Sequence, residues 1–422
     1  MTFSEGLSLL IQALQAIVPA TQWLGVFLGA LAYWVIPSQW RLRALLPISL
    51  LVVALGYNRW PLLPLLAIVL GAAVYVATPV CIRRTGAARA VIIAVTAIFC
   101  LLHGLLGLLT FTDVLAFTGV TDRVAIAQCG TVVLFGYLRL IHWIVDRQRL
   151  ATATILGTSQ TGDPSETQVW NFLSWLVFFP TFTSLPLVRS QEFSVMQSHT
   201  LERRHIVRGI KHAAQLLIKS ILIAGMFTQV SQVSAIYRPF EFGVQDVWIG
   251  LIVNTLIFFL GFTGYVDFAL FAGCMLGFDL PDNFARCDRL LLNGRARDFW
   301  RDWNYTVTRW LKDYIYIPLG GIRKHPQRNT LLTMIFCGLW HSVSILGALW
   351  GVMLGGMMLA EHWWTRARIK GVIKFPQAPL PVRAVLWLVA FGVVQMAQVP
   401  FAYTTENIGG LFRLYGRMIG AG

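Results

Sequence analysis

The feature that most constrains this chain is a succession of long apolar runs, with the charged residues confined to the short stretches between them. Only 13% of the 422 residues are charged, about half the share of a soluble chain, against 56% hydrophobic residues and a mean hydropathy of +0.65. Continuous rather than alternating runs argue against a β-barrel and for helices that satisfy their own backbone in lipid. The expected fold is therefore all-α, a polytopic membrane bundle of about ten to eleven segments. It is expected to form a single domain over 1–422.

Residues 5–18 place Leu7, Leu10, Ile11, Leu14 and Val18 at helical spacing before Pro19, so 1–19 reads as an amphipathic interfacial helix. The N-terminus has no basic n-region or small-residue cleavage site, and no removable signal peptide is expected. Spans are expected at 23–36, 44–57, 61–80, 90–111 and 124–145 within an N-terminal region 20–150. Basic residues collect in every second connection (Arg41 and Arg43; Arg83, Arg84 and Arg89; Arg147 and Arg149), which places those loops in the cytoplasm. The net charge of +15 is read in the same way, with anionic lipid as the partner and nucleic acid excluded.

A polar loop, 151–168, leads into the core region 169–422. In VWNFLSWLVFFPTFTSLPLVRSQEF, Pro180 and Pro186 interrupt the helical pattern, and a broken or re-entrant segment is expected. The stretch 199–212 reads as a solvated basic face holding His199, His205 and His212. Spans follow at 213–230 and 247–277, and Asp267 lies deep in the second, where a carboxylate is either a functional group or a hydrogen-bonded structural one. The run 330–359 conflicts with the charge pattern, because Arg366, Arg368, Lys370 and Lys374 follow it. Either it bends back at one of its glycines or the positive-inside rule fails there. The last span is expected at 383–403.

The six cysteines show neither disulfide nor metal-ligand spacing, and no metal site is expected. The stretch from Asp298 to His341 carries the chemistry. It joins a block of Trp and charge to a Pro-Leu-Gly-Gly stop and an apolar segment that holds His341. An imidazole among Leu, Ile and Phe, kept neutral by desolvation, suits a general base for a hydroxyl. The carboxamide of Asn304 can orient that ring or donate to an oxyanion without placing a charge in lipid. Cys337, one helical turn before His341, is a weaker candidate for a covalent relay.

The ordered motifs resemble a known family. GFTGYVDFALFAGCMLGFDLPDNFAR, DFWRDWNYTVTRWLKDYIYIPLGG and CGLWHSVSILGALWG are similar to successive motifs of the membrane-bound O-acyltransferase superfamily. The branch resembled holds bacterial alginate O-acetylation and teichoic acid D-alanyl transfer proteins. The resemblance implies a helical bundle with a transmembrane tunnel in the bacterial inner membrane. It places His341 on the catalytic histidine and Asn304 on the second catalytic position, where bacterial members usually carry His. Trp300, Arg301, Asp302, Trp303, Trp340 and Asp267 would line the substrate path.

No cofactor is expected to be bound. The implied donor is an acyl-coenzyme A or acyl-carrier-protein thioester, and the acceptor a hydroxyl of an exported polysaccharide, an envelope polymer or a periplasmic relay protein. D-alanyl transfer from a cytosolic carrier protein is the same-class alternative. A proton-coupled transporter or a non-catalytic scaffold are the alternatives outside it.

Overall fold

A computed structural model describes residues 17–56, 62–111, 123–155, 169–198, 200–228, 243–284, 303–370, 408–418 and 420. Its elements are α1 (Ala20–Val35), α2 (Ser38–Gly56), α3 (Leu62–Arg83), α4 (Thr85–Phe111), α5 (Arg123–Ile155), α6 (Val169–Leu176), α7 (Ser190–Phe193), α8 (Arg203–Thr228), α9 (Val244–Met275), α10 (Tyr305–Leu311), α11 (Pro326–His341), α12 (Ile345–Ile369) and α13 (Ile408–Met418). No strand occurs among the described residues, and a lone antiparallel bridge joins Gln197 to Phe278.

The architecture is the all-α membrane fold that the hydropathy implies. Five helices among the described residues are long and apolar enough to cross a membrane: α2, α3, α4, α9 and α12; α1 is a shorter apolar helix. Their outward faces carry Leu65, Val69, Val76, Ile93 and Leu101, all exposed, as a surface against lipid requires. The first five expected spans correspond to α1–α5. The expected last span, 383–403, and all but the last two residues of the expected helix at 5–18 lie outside the described residues, as does most of the 151–168 loop.

The chain divides into two compact units, one of Met1–Leu222 with Gly261–Asp282 and one of Ile223–Leu260 with Asn283–Gly422. Helix α9 contributes to both, passing from the second into the first at Gly261.

In the first unit, α1 packs on α2, and α3, α4 and α5 pack on one another. The core is aromatic: Trp143 lies against Phe172 and Trp175, and Phe178, Phe193 and Phe278 form a cluster of three mutually contacting rings. The interrupted segment is broken as expected. Helix α6 stops at Leu176, a single 3-10 turn spans Phe179–Thr181, and the Leu185–Pro186 bond is cis. Non-helical backbone inside a membrane protein needs partners from side chains. Here Arg139, 2% exposed on α5, donates from Nη1 to the Leu176 carbonyl at 2.6 Å and from Nη2 to the Thr181 carbonyl and hydroxyl at 2.5 and 2.7 Å. The Phe179 amide donates to Ser49 Oγ, and Trp175 Nε1 to the Val188 carbonyl.

In the second unit, a short stretch after Asn304 forms α10 and then a π-helical turn over Lys312–Tyr316. The Pro-Leu-Gly-Gly stop ends it, with Gly320 and Gly321 at φ of 112° and 54°, values that suit glycine. Buried Asn329 ties this turn to α11 by donating to the carbonyls of Gly321 and Lys324.

The ambiguous run 330–359 bends back, at Ser342–Ser344 between α11 and α12 rather than at a glycine. Gly338 faces Gly347, Met334 faces Gly351 and Leu331 faces Gly355, so the two helices recede from the turn together as an antiparallel hairpin. The glycines instead let the backbones touch. A Cβ on Gly338 would lie 2.0 Å from the Gly347 carbonyl oxygen, and one on Gly351 would lie 2.4 Å from that of Met334. The C-terminal end of α12 is thereby returned to the side from which α11 started, which accounts for the basic residues Arg366 and Lys370 there.

The hairpin makes a paired prediction. Gly338→Ala must push two backbones apart and should cost more than the roughly 1–3 kcal/mol of ordinary overpacking. Gly356→Ala on the same hairpin meets nothing within 4 Å and should raise stability by about 0.5–1 kcal/mol. Thermal unfolding of the two variants in detergent checks both signs.

Candidate active site

In the second unit the polypeptide reaches Asn304 through Trp303, whose ring lies against Phe259 and Phe284 at centroid distances of 5.4 and 4.9 Å. Asn304 has a left-handed backbone, φ 48° and ψ 54°, a conformation that Asn adopts more readily than most residues. It stands at the N-terminus of α10 and is 8% exposed.

Its side-chain oxygen accepts from Asn283 Nδ2 at 3.0 Å. The same Asn283 side chain accepts from the Thr306 amide, and the Asn283 backbone carbonyl accepts from the Tyr305 amide. Asn283, 1% exposed, thus covers open N–H groups at the start of α10 and fixes the Asn304 carboxamide. With the carbonyl end engaged, the amino end of Asn304 remains as a donor.

His341 is the last residue of α11, where the chain leaves the helix for an extended Ser342. Its ring lies 4.4 Å from Trp340 and 5.6 Å from Trp350 by centroid, the second edge-on, and the residue is exposed. The sequence suggests an imidazole desolvated in mid-helix, whereas the hairpin turn places it at a helix end against two indoles. Ser342 and Ser344 share a hydroxyl–hydroxyl hydrogen bond of 2.8 Å in the turn beside it, and Ser344 Oγ caps the Gly347 amide. The Asn304 carbonyl is taken by Asn283 and the His341 ring lies against Trp340 and Trp350, so the two side chains rest on separate supports. Cys337 is 2% exposed and packed in the hairpin. Trp300, Arg301 and Asp302 lie outside the described residues.

Asp267 belongs to the first unit. It is 5% exposed, and its two oxygens have separate partners: Oδ1 lies 2.8 Å from His212 Nδ1, and Oδ2 lies 2.5 Å from Lys219 Nζ. This corrects the reading of 199–212 as a solvated face. His205 and His212 are each 1% exposed, and only His199 of the three lies outside the described residues. The basic stretch is the start of a 26-residue helix, α8, which turns His205, His212, Leu216, Ser220 and Ile223 inward and leaves Ile206, Val207 and Ile210 exposed. The sequence did carry a signal for this. His205, His212 and Lys219 are spaced by seven, so they share a face with Leu216 and Ile223. A second carboxylate, Asp279, collects Arg204 at 3.3 Å, His205 Nε2 at 3.5 Å and Arg208 at 3.8 Å.

The family model of the membrane-bound O-acyltransferases matches residues 90–397, and the chain belongs to that family. Among individual proteins, it is 30% identical over 266 residues to the probable alginate O-acetylase of Pseudomonas fluorescens, covering 61% of this chain and 50% of that one. It is 28% identical to the corresponding protein of Azotobacter vinelandii over the same length and shares. The peptidoglycan O-acetyltransferase of Helicobacter pylori is 27% identical over 282 residues, 65% of this chain and 51% of that one. The matched stretch thus spans about half the length of these relatives.

The Asn283–Asn304 pair separates backbone from side chain. Asn304→Gly keeps a left-handed residue and removes the carboxamide, so the fold should survive. Asn283→Ala strips buried groups of their partner and should lower stability by about 1–3 kcal/mol. Chemical denaturation of both variants checks the difference.

Proposed function

We propose that this protein is a multi-pass enzyme of the bacterial inner membrane that transfers a small acyl group, acetyl first among them, from a thioester to a hydroxyl of an exported polysaccharide or envelope polymer. The observation that carries the reading is His341 itself. It is an exposed imidazole at the end of α11, in contact with the Trp340 and Trp350 rings, within the family-matched stretch. Relatives named for the O-acetylation of alginate and of peptidoglycan support a polymeric acceptor.

In the proposed reaction, His341 takes the acceptor's hydroxyl proton as that oxygen attacks the thioester carbonyl. The tetrahedral oxyanion accepts a hydrogen bond, for which the amino end of Asn304 is the proposed donor. Collapse breaks the carbon–sulfur bond, and the imidazolium returns its proton to the departing thiolate. One ester and one thiol leave, with no net proton gained or lost.

Coenzyme A or a carrier protein brings the thioester from the cytoplasmic side, and a tunnel through the bundle joins it to the acceptor. A periplasmic relay protein is a further acceptor that this chemistry allows. Buried Cys337 has no part in it.

The test uses inner-membrane vesicles with acetyl-labelled coenzyme A and an alginate oligosaccharide. The wild type should transfer label. His341→Ala should lower transfer by about 10²–10⁴-fold, the range for loss of a general base, while remaining inserted and folded. A His341→Ala chain that transfers at the wild-type rate would refute the assignment.

A further inference from the structure

Two carboxamides meet at the start of α10, and because the two ends of each are alike in shape, their partners decide which end is oxygen. One of those partners cannot be turned around. The Thr306 backbone N–H can only donate, so the atom of Asn283 that faces it at 3.4 Å is Oδ1. The other end of Asn283 is then its amino group. It donates to Asn304 at 3.0 Å, and the atom that receives it is the Asn304 carbonyl oxygen. A single peptide proton thus fixes both side chains and leaves the amino group of Asn304 pointed away from Asn283. That group has no hydrogen bond among the described residues.

The backbone offers no substitute for this donor. Of the amides that open α10, Tyr305 donates to the Asn283 backbone carbonyl and Thr306 to the Asn283 side chain. Val307 and Thr308 both turn back to the Asn304 carbonyl. An oxyanion brought to this helix start therefore finds no free peptide donor in residues 305–308. Asn283 itself is 1% exposed and acts through Asn304.

We infer that Asn283 is a positioning residue for acyl transfer, holding position 304 so that it accepts on its inner side and donates on its outer side. The inference rests on the acyl-transfer reading, in which the Asn304 amino group meets the oxyanion. It also sets which side chains position 304 can use. A residue there must take the Asn283 proton and keep one of its own facing away, which a carboxamide does and a carboxylate does not.

The experiment measures kcat and KM against pH for the full chain in lipid nanodiscs, with acetyl-labelled coenzyme A and an alginate oligosaccharide. Tryptophan fluorescence follows folding at each pH. Asn283→Asp keeps the shape of the side chain and the backbone carbonyl that serves Tyr305. While the new carboxyl is protonated it accepts from Thr306 and donates to Asn304, as Asn283 does. Once ionised it only accepts, and the Asn304 carboxamide must turn its amino group inward. The expected result is a fall in kcat of about 10²–10³-fold as pH rises through that titration, the cost of one oxyanion donor, with KM nearly unchanged. The wild type should lack this limb, because rising pH frees the His341 base and leaves both carboxamides as they are.

A merely structural Asn283 would give a lower unfolding temperature with the wild-type kcat profile. A folded Asn283→Asp chain whose kcat follows the wild type, or whose loss does not titrate, overturns the inference. If that variant does not fold, Asn304→Asp reads the same orientation. Its inner oxygen takes the Asn283 proton, so its own proton, when present, lies on the outer oxygen, and transfer relative to the wild type should recover as pH falls. No recovery overturns the inference. A wild type that transfers no acetyl group sinks the acyl-transfer reading itself, whereas a transferring wild type beside an indifferent Asn283→Asp sinks this inference alone.

Discussion

Everything in this structure answers to one constraint: a polar group withdrawn from water into a membrane protein must find its partner within the protein. Regular helices meet it by their own hydrogen bonds, and most of the chain is regular helix. The informative places are the exceptions. Arg139 supplies donors to a stretch of backbone that has stopped being helical, and Asn283 covers the start of α10. Asp267 draws an imidazole and an ammonium from α8. Each is a short-range, geometrically specific solution, and the first two lie where the chain departs from regular helix, whereas Asp267 is answered across two unbroken helices.

The hairpin of α11 and α12 shows how packing then becomes chemistry. Glycine at 338, 347 and 351 brings two backbones together that side chains would hold apart. Close antiparallel packing forces a tight turn at Ser342–Ser344, and the turn makes His341 a terminal residue rather than a buried one. Trp340 comes from the same helix and Trp350 from the returning one, so the hairpin itself supplies two indoles against the ring. A straight span through 330–359 would have offered neither the exposure nor the second indole.

Much of this was legible in the sequence. Apolar runs gave the helices, with α3 at Leu62–Arg83 against an expected 61–80, because a continuous run of such length has few other folds. Pro180 and Pro186 marked the break, since proline removes a helical donor. The clash between 330–359 and its basic flank marked the hairpin, although charge alone could not place the turn. What stayed hidden were pairings at long range. Nothing near Asp267 in sequence announces Lys219 or His212, and a run of Arg and His looks solvated until helical spacing is taken into account. Asn283 was missed for the same reason: its importance lies in what it touches 21 residues later. His341 itself was found by its neighbours in the chain, but its exposure followed from a turn that composition does not encode.

The central claim is that the imidazole of His341 carries the acyl transfer. Carbethoxylation by diethyl pyrocarbonate, followed residue by residue with peptide mass spectrometry while acetyl transfer is assayed, tests it most directly. His341 is exposed and should react early, whereas His205 and His212 are buried and should lag. The account predicts that activity falls in step with modification of His341 and that bound thioester slows both. Transfer that persists after His341 is fully modified would contradict it.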